Sequence, residues 1–170
     1  MIRLINEFRE RLFPTPQRLP LNEVAGDKIR EAVEVSQELA KQGFQHVFYG
    51  SLALALQLGW FHRPINDIDV LVDTPLGNNW YELVDNISRF IDLPPSLHVR
   101  ARNIYDDNTY TIPTITKIEM PMTVRDIDFE TKFGIVRVIP LDQGLALLTH
   151  SIARKADQDI RALRRLGVNI

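Results

Sequence analysis

Two aspartates at alternate positions interrupt an otherwise apolar, strand-like segment. The stretch NDIDVLVD, residues 66–73, holds Asp67 and Asp69 among isoleucine, valine and leucine residues. Because side chains alternate across a strand, both carboxylates are expected on one face, where two like charges repel. A solvent-facing side of the strand would explain them without any function. A divalent cation such as Mg²⁺, which prefers carboxylate oxygens, would instead use both as ligands.

A Gly-Ser pair precedes this segment at a point where a strand is expected to give way to a helix. HVFYG, residues 46–50, is β-prone, and LALALQLG, residues 52–59, is rich in helix formers. We expect Ser51 to cap that helix. Free backbone N–H groups and the positive end of a helix dipole suit a phosphate, although an ordinary strand-to-helix turn has the same sequence. Together with Asp67 and Asp69, the turn predicts phosphate donors beside a metal site.

The elements around these residues alternate in the first half of the chain and become strand-rich in the second. Helical spacing is expected at 2–12, from about 21 to 42, and at 77–91. The later segments LHVRAR, TYTI, TITKIEM and FGIVRVI are strand-like. Two final helices are expected in LDQGLALLTHSI, with Asp142 as a cap, and in ADQDIRALRRLG.

The composition bounds the kind of protein. The chain has 170 residues, 45% hydrophobic and 25% charged, which predicts one ordinary domain. It has no cysteine, which excludes disulfides and thiolate metal sites, and no apolar run near the roughly 20 residues that span a bilayer. A formal net charge of -2 offers no bulk attraction for nucleic acid. We expect a cytoplasmic protein without a membrane partner, and leave its oligomeric state open.

The segment YGSLALALQLGWFHRPINDIDVLVD, residues 49–73, resembles the signature of the polymerase-β-type nucleotidyltransferase superfamily. The shared pattern is a hydrophobic strand, glycine followed by glycine or serine, a short helix, and Asp-hydrophobic-Asp. It is most similar to minimal bacterial members, the aminoglycoside and lincosamide nucleotidyltransferases and the nucleotidyltransferase toxins of abortive-infection systems. Residues 134–163 agree, with Lys155 four positions before Asp159, although Ala156 stands where an aspartate is common.

The resemblance implies an α+β nucleotidyltransferase fold, a small mixed sheet packed with helices. We expect that domain at residues 21–170, preceded by an N-terminal helical arm at residues 1–20. The implied reaction moves a nucleoside monophosphate from an NTP such as ATP to a hydroxyl acceptor and releases pyrophosphate. The sequence does not identify the acceptor, which would be a small molecule, an RNA or a protein. The alternative is a catalytically weak or inactive member of this fold that binds a nucleotide or a protein.

The resemblance also implies a set of metal ligands. Asp67 and Asp69, with a third carboxylate, would hold two Mg²⁺ ions, which Mn²⁺ could replace. Glu119 in TKIEM falls within an expected strand, and its order in the chain fits the third acid and general base. Asp128 in VRDIDFE, between expected strands, is the alternative third acid.

Nucleotide-binding residues follow from the same resemblance. Gly50 and Ser51 would position the phosphates, and Arg63 would contact the triphosphate unless it is an ordinary exposed arginine. Lys155 would neutralise phosphate or pair with Asp159 one helical turn away. The four histidines show no metal-ligand spacing, and we assign them no catalytic role.

Overall fold

The computed structural model describes residues 15–73, 97–102, 124–151 and 154–170. These residues form four helices and a mixed five-stranded sheet, which confirms an α+β protein with a small mixed sheet. The strands are β1 Leu19–Pro20, β2 His46–Tyr49, β3 Trp60–Phe61, β4 Ile68–Asp73, β5 Leu97–Arg102, β6 Ile127–Thr131 and β7 Gly134–Val138. The helices are α1 Leu21–Lys41, α2 Gly50–Leu58, α3 Leu141–His150 and α4 Arg154–Arg165.

The direction of each strand decides which ends of the sheet meet. The five strands lie in the order β5-β4-β2-β7-β6, with β2 antiparallel to β4 and parallel to β7, and with β4 parallel to β5. The last residues of β2 and β7, Tyr49 and Val138, therefore lie at the same end of the sheet as Ile68 and Leu97, the first residues of β4 and β5. We call this the site end of the sheet.

Helices pack on the sheet and help to bury its apolar side chains. In α1 the buried residues recur every three or four positions, which places one apolar face on the core. Helix α2 is short and almost wholly apolar, and its five residues 52–56 are all buried. It contacts both α1 and α3, so an apolar surface all round is what its position requires. These contacts pack α2, whose first residue follows Tyr49, against its neighbours at the site end.

Several expected elements fall outside the described residues. These are the helix at 2–12, the helix at 77–91, and the strands at 109–112 and 114–120. At the end of the expected N-terminal arm, Leu19–Pro20 pair with β3. None of the helices in the described ranges has the length and apolar character that crossing a membrane requires.

Asp128 and Asp142 lie in settings that differ from the expected ones. Asp128 lies within β6, paired with Arg137 of β7, and not between strands. Its segment pairs because the two-residue turn after Thr131 closes a hairpin. Asp142 lies in the first turn of α3 but does not cap it, because Pro140 occupies the cap position without a side-chain bond.

A buried histidine joins α1 to β2. His46 is 6% exposed; its Nδ1–H donates to the Phe44 carbonyl at 3.0 Å, and its Nε2 accepts from the Ser36 hydroxyl at 2.8 Å. Because a carbonyl can only accept, Nδ1 carries a proton, and in the neutral ring, which the lowered pKa of His46 favours, Nε2 accepts from Ser36. Burial lowers the pKa of His46 below its ordinary value, and the nearby charge of Arg137 lowers it further, against the hydrogen bond to Phe44.

We predict that His46 makes the protein lose stability in mild acid. Because its pKa is lowered in the folded state, the unfolded chain takes up the proton first as the pH falls below about 6.5. The contribution is complete above that pH and is lost toward the folded pKa, with a slope of at most about 1.4 kcal/mol per pH unit. Urea unfolding between pH 5 and 7.5 measures it. His46→Asn should flatten the profile relative to an exposed control, His150→Asn, and equal slopes for both variants would contradict the prediction.

Candidate functional site

The Gly50 turn and the Asp69 carboxylate meet because β2 and β4 are antiparallel. Tyr49, the last residue of β2, lies opposite Asp69 in the sheet register. The next residue, Gly50, has φ +70° and begins α2. A Cβ built on Gly50 would overlap Asp69 Oδ2 and lie 3.2 Å from Asp69 Cγ. Only glycine satisfies both the left-handed φ and this close approach.

The two aspartates lie between core and solvent. Asp69 is in β4 with its side chain 21% exposed, and Asp67 lies directly before the strand and is partly buried. Their neighbours Ile68 and Val70, on the opposite face, are fully buried. The negative charge of Asp67 also contributes to raising the pKa of Arg63. Both carboxylates are thus partly exposed to solvent, and a ligand can reach Asp69.

A histidine that we assigned no role lies against Asp69. His98 of β5 is opposite Asp69 in the parallel register, and its Nδ1 is 3.3 Å from Asp69 Oδ1. Its side chain is 52% exposed, so the contact faces solvent. Sequence spacing could not reveal this neighbour, because 29 residues separate the pair. Only the pairing of β4 with β5 brings them together.

Of the two candidate third acids, the structure describes only Asp128 and places it away from Asp67 and Asp69. Glu119 lies outside the described residues, so its role stays a prediction. Asp128 is in β6, three strands from β4, which at about 4.8 Å per strand is roughly 14 Å. There its carboxylate accepts a hydrogen bond from Arg137 Nε at 3.2 Å. Within the described ranges no three His, Cys, Asp or Glu residues are placed to hold one metal ion.

Ser51 has a different partner from the one expected of a helix cap. Helix α2 begins one residue earlier, at Gly50, and Tyr49 in the cap position makes no side-chain bond. The prediction that Ser51 caps the helix was therefore wrong. Its hydroxyl oxygen instead accepts a hydrogen bond from Arg63 Nη2 at 3.0 Å. Ser51 is thus linked to the loop that leads into β4.

Arg63 is held by a buried carboxylate of α4. Its Nε donates to Asp159 Oδ1 and its Nη2 to Asp159 Oδ2, both at 2.8 Å, in the two-bond geometry that arginine favours. His62 Nε2 lies 2.8 Å from the same Oδ1. The Asp159 side chain is 3% exposed. These residues form one network with Ser51, in which His62 and Asp159 are 97 positions apart in the chain.

The charges of this network stabilise one another. Burial acts to raise the pKa of Asp159, but the hydrogen bonds from Arg63 and His62 outweigh it and hold that pKa below its ordinary value. The hydrogen bond to Asp159 raises the pKa of Arg63 above its ordinary value, against the effect of burial. Both groups are therefore charged at any pH near neutrality.

Lys155 lies on the outside of the same helix. It is exposed, and the ion pair expected between Lys155 and Asp159 is not formed among the described contacts. Arg63 takes the carboxylate because its planar fork reaches both oxygens, which an ammonium cannot do in the same way. A phosphate contact from Lys155 stays a prediction, as does a direct one from Arg63, whose side chain is 26% exposed.

We predict that Gly50→Ala destabilises the protein more than Gly59→Ala. Both glycines have nearly the same φ, +70° and +73°, so both variants lose about 1–2 kcal/mol from backbone strain. A Cβ on Gly59 meets nothing within 4 Å, whereas one on Gly50 overlaps the Asp69 carboxylate. The difference in unfolding free energy between the two variants measures the cost of the overlap between a Cβ at position 50 and the Asp69 carboxylate. Equal losses would show that Gly50 and Asp69 are not in contact.

Comparisons with known proteins leave the function to be inferred from the residues themselves. No family model matches the sequence, and the searches of curated proteins and of solved structures found no match.

Proposed function

We propose that the chain is a metal-dependent nucleotidyltransferase that transfers a nucleoside monophosphate from an NTP to a hydroxyl acceptor and releases pyrophosphate. The contact of the Gly50 turn with the Asp69 carboxylate carries the proposal. It supports a site in which phosphate donors and a metal-binding acid are neighbours, as the nucleotidyltransferase motif requires. The mixed sheet with helices on it is compatible with that fold, which is part of the proposal.

The chemistry of the carboxylates fits a hard divalent cation. Asp67 and Asp69 offer oxygen ligands, which Mg²⁺ and Mn²⁺ prefer, at a partly exposed position. We propose Glu119 as the third acid, since Asp128 lies three strands away. When bound, two Mg²⁺ ions would lower the pKa of the acceptor hydroxyl and neutralise the leaving pyrophosphate.

The turn after β2 supplies the groups that would bind the triphosphate. The first backbone N–H groups of α2 have no partner within the helix, and Tyr49 does not cap them with its side chain. They and the positive end of the helix dipole would bind phosphate oxygens. Ser51 adds a hydroxyl at the same place. These groups would orient the α-phosphate for attack by the acceptor.

A second candidate function is nucleotide or protein binding without transfer. Ala156 stands where nucleotidyltransferases commonly have an aspartate. It is 4% exposed, so this position is part of the apolar core and offers no carboxylate. Among the described residues, no third carboxylate joins Asp67 and Asp69 in a group that could hold a metal ion. A protein of this kind would bind an NTP with Mg²⁺ but would release no pyrophosphate.

We predict metal-dependent nucleotide binding that requires Asp67 and Asp69. Isothermal titration with Mg²⁺ and each of ATP, GTP, CTP and UTP should give binding of at least one nucleotide only with the metal present. Asp67→Asn and Asp69→Asn should abolish this binding and leave the metal-free protein as stable or more stable, because their repulsion is relieved. Asp128→Asn is the matched control and should bind as the wild type does. Absence of any metal-dependent nucleotide binding would contradict the proposal that the protein is a nucleotidyltransferase.

Pyrophosphate release separates the two functions. The enzyme should release it from the bound NTP in the presence of cell extract, and mass spectrometry should find a nucleotidylated product that identifies the acceptor. Glu119→Gln should abolish release if Glu119 is the third acid, while Asp128→Asn should not alter it. Tight nucleotide binding with no pyrophosphate and no modified product would favour the binding protein.

A further inference from the structure

We infer that Asp159 and Arg63 are positioning residues that set the direction of the Ser51 hydroxyl, so that Ser51 donates its proton to a phosphate oxygen of the bound nucleotide. This inference rests on the proposed function, because it concerns the same phosphate-binding turn. It adds a role for α4, a helix far from the Gly-Ser and Asp-x-Asp motifs in the sequence.

The arrangement depends on a buried carboxylate whose two oxygens are both hydrogen-bonded. Asp159 is 2% exposed, and its two oxygens accept three hydrogen bonds, two from Arg63 and one that involves His62. Two parallel bonds to a planar guanidinium fix both its place and its plane. Nη1 of Arg63 also donates to the Pro64 carbonyl at 3.1 Å. These bonds fix the position of the guanidinium, and therefore the direction from which Nη2 donates its hydrogen to Ser51.

The fixed position of Arg63 determines the direction in which the Ser51 hydroxyl can donate its proton. A serine hydroxyl has one proton to donate and two lone pairs that accept. Ser51 Oγ accepts from Arg63 Nη2 at 3.0 Å, so one lone pair is occupied and the proton must point away from the guanidinium. The described residues give Ser51 no other side-chain hydrogen bond. Its proton is available to an acceptor that arrives at the turn.

The nature of the arriving group follows from the same contacts. A donor hydroxyl at the first turn of α2, beside free backbone N–H groups, favours an anionic oxygen. Arg63 itself uses Nε and Nη2 on Asp159 and Ser51, and the carboxylate offsets much of its charge. Arg63 therefore acts on the phosphate through Ser51, as a positioning group, more than as a direct ligand.

A double-mutant cycle tests this role. The probe is inorganic triphosphate with Mg²⁺, and isothermal titration measures its Kd for the wild type, Ser51→Ala, Asp159→Asn and the double variant. Loss of a hydrogen bond to a charged ligand should weaken binding about tenfold in Ser51→Ala. Asp159→Asn should weaken it severalfold by releasing Arg63, and should have little further effect when Ser51 is already alanine. Asp157→Asn, an exposed aspartate on the same helix, is the charge-matched control and should leave the Kd unchanged.

Each other outcome overturns the inference. If Asp159→Asn leaves the Kd unchanged, or weakens binding by the same factor with and without the Ser51 hydroxyl, the pair only ties α4 to its neighbours and the proposed function stands. If the wild type binds neither the triphosphate nor any NTP, the proposed function fails and this inference fails with it. Should Asp159→Asn not fold, Arg63→Lys replaces it in the cycle with the same deciding outcomes, since lysine keeps the charge but lacks the planar fork.

Discussion

The close approach of Gly50 to the Asp69 carboxylate is the constraint on which the site depends. It exists because the antiparallel register places Tyr49 opposite Asp69, so that the turn after β2 must pass over the start of β4. A shift of the register by one residue would turn Asp69 toward the core and a buried valine toward the turn. The apolar residues of β4 on the opposite face oppose that shift, because they form the core. The buried residues of β4, which include Leu71 on the same face as Asp69, thus fix the register that brings Asp69 to the Gly50 turn.

A second constraint is electrostatic and comes from the C-terminal part of the chain. Asp159 of α4 would be costly to bury alone, and Arg63 offsets that cost with two direct hydrogen bonds. The pair joins α4, the loop before β4 and the first turn of α2 through Ser51. Removal of either charge would leave the other poorly solvated, so the three segments hold their relative positions as one unit. The proposed phosphate-binding turn gains rigidity from residues that are distant in sequence.

Local patterns predicted the elements, while contacts between distant segments decided the site. The β2–α2 unit follows from a β-prone run, glycine and a run of helix formers, and the strand around Asp69 follows from its apolar alternation. Helix-start patterns predict a cap at Ser51, whereas its bond to Arg63 depends on a loop that sequence spacing does not position. For the same reason, helical spacing offers Lys155, and not Arg63, as a partner of Asp159. The contact of His98 with Asp69 needed the pairing of two strands, which the intervening residues do not reveal.

A metal site beside the Gly50 turn is tested by locating where a metal ion binds to the protein. Mn²⁺ added at low molar ratio to the ¹⁵N-labelled protein broadens the amide signals near its site. We expect the signals of Gly50, Ser51 and residues 67–69 to broaden first, and Asp69→Asn to abolish this selectivity. Broadening centred instead on the acidic residues of 126–130, or spread evenly over exposed carboxylates, would contradict a metal site beside the Gly-Ser turn.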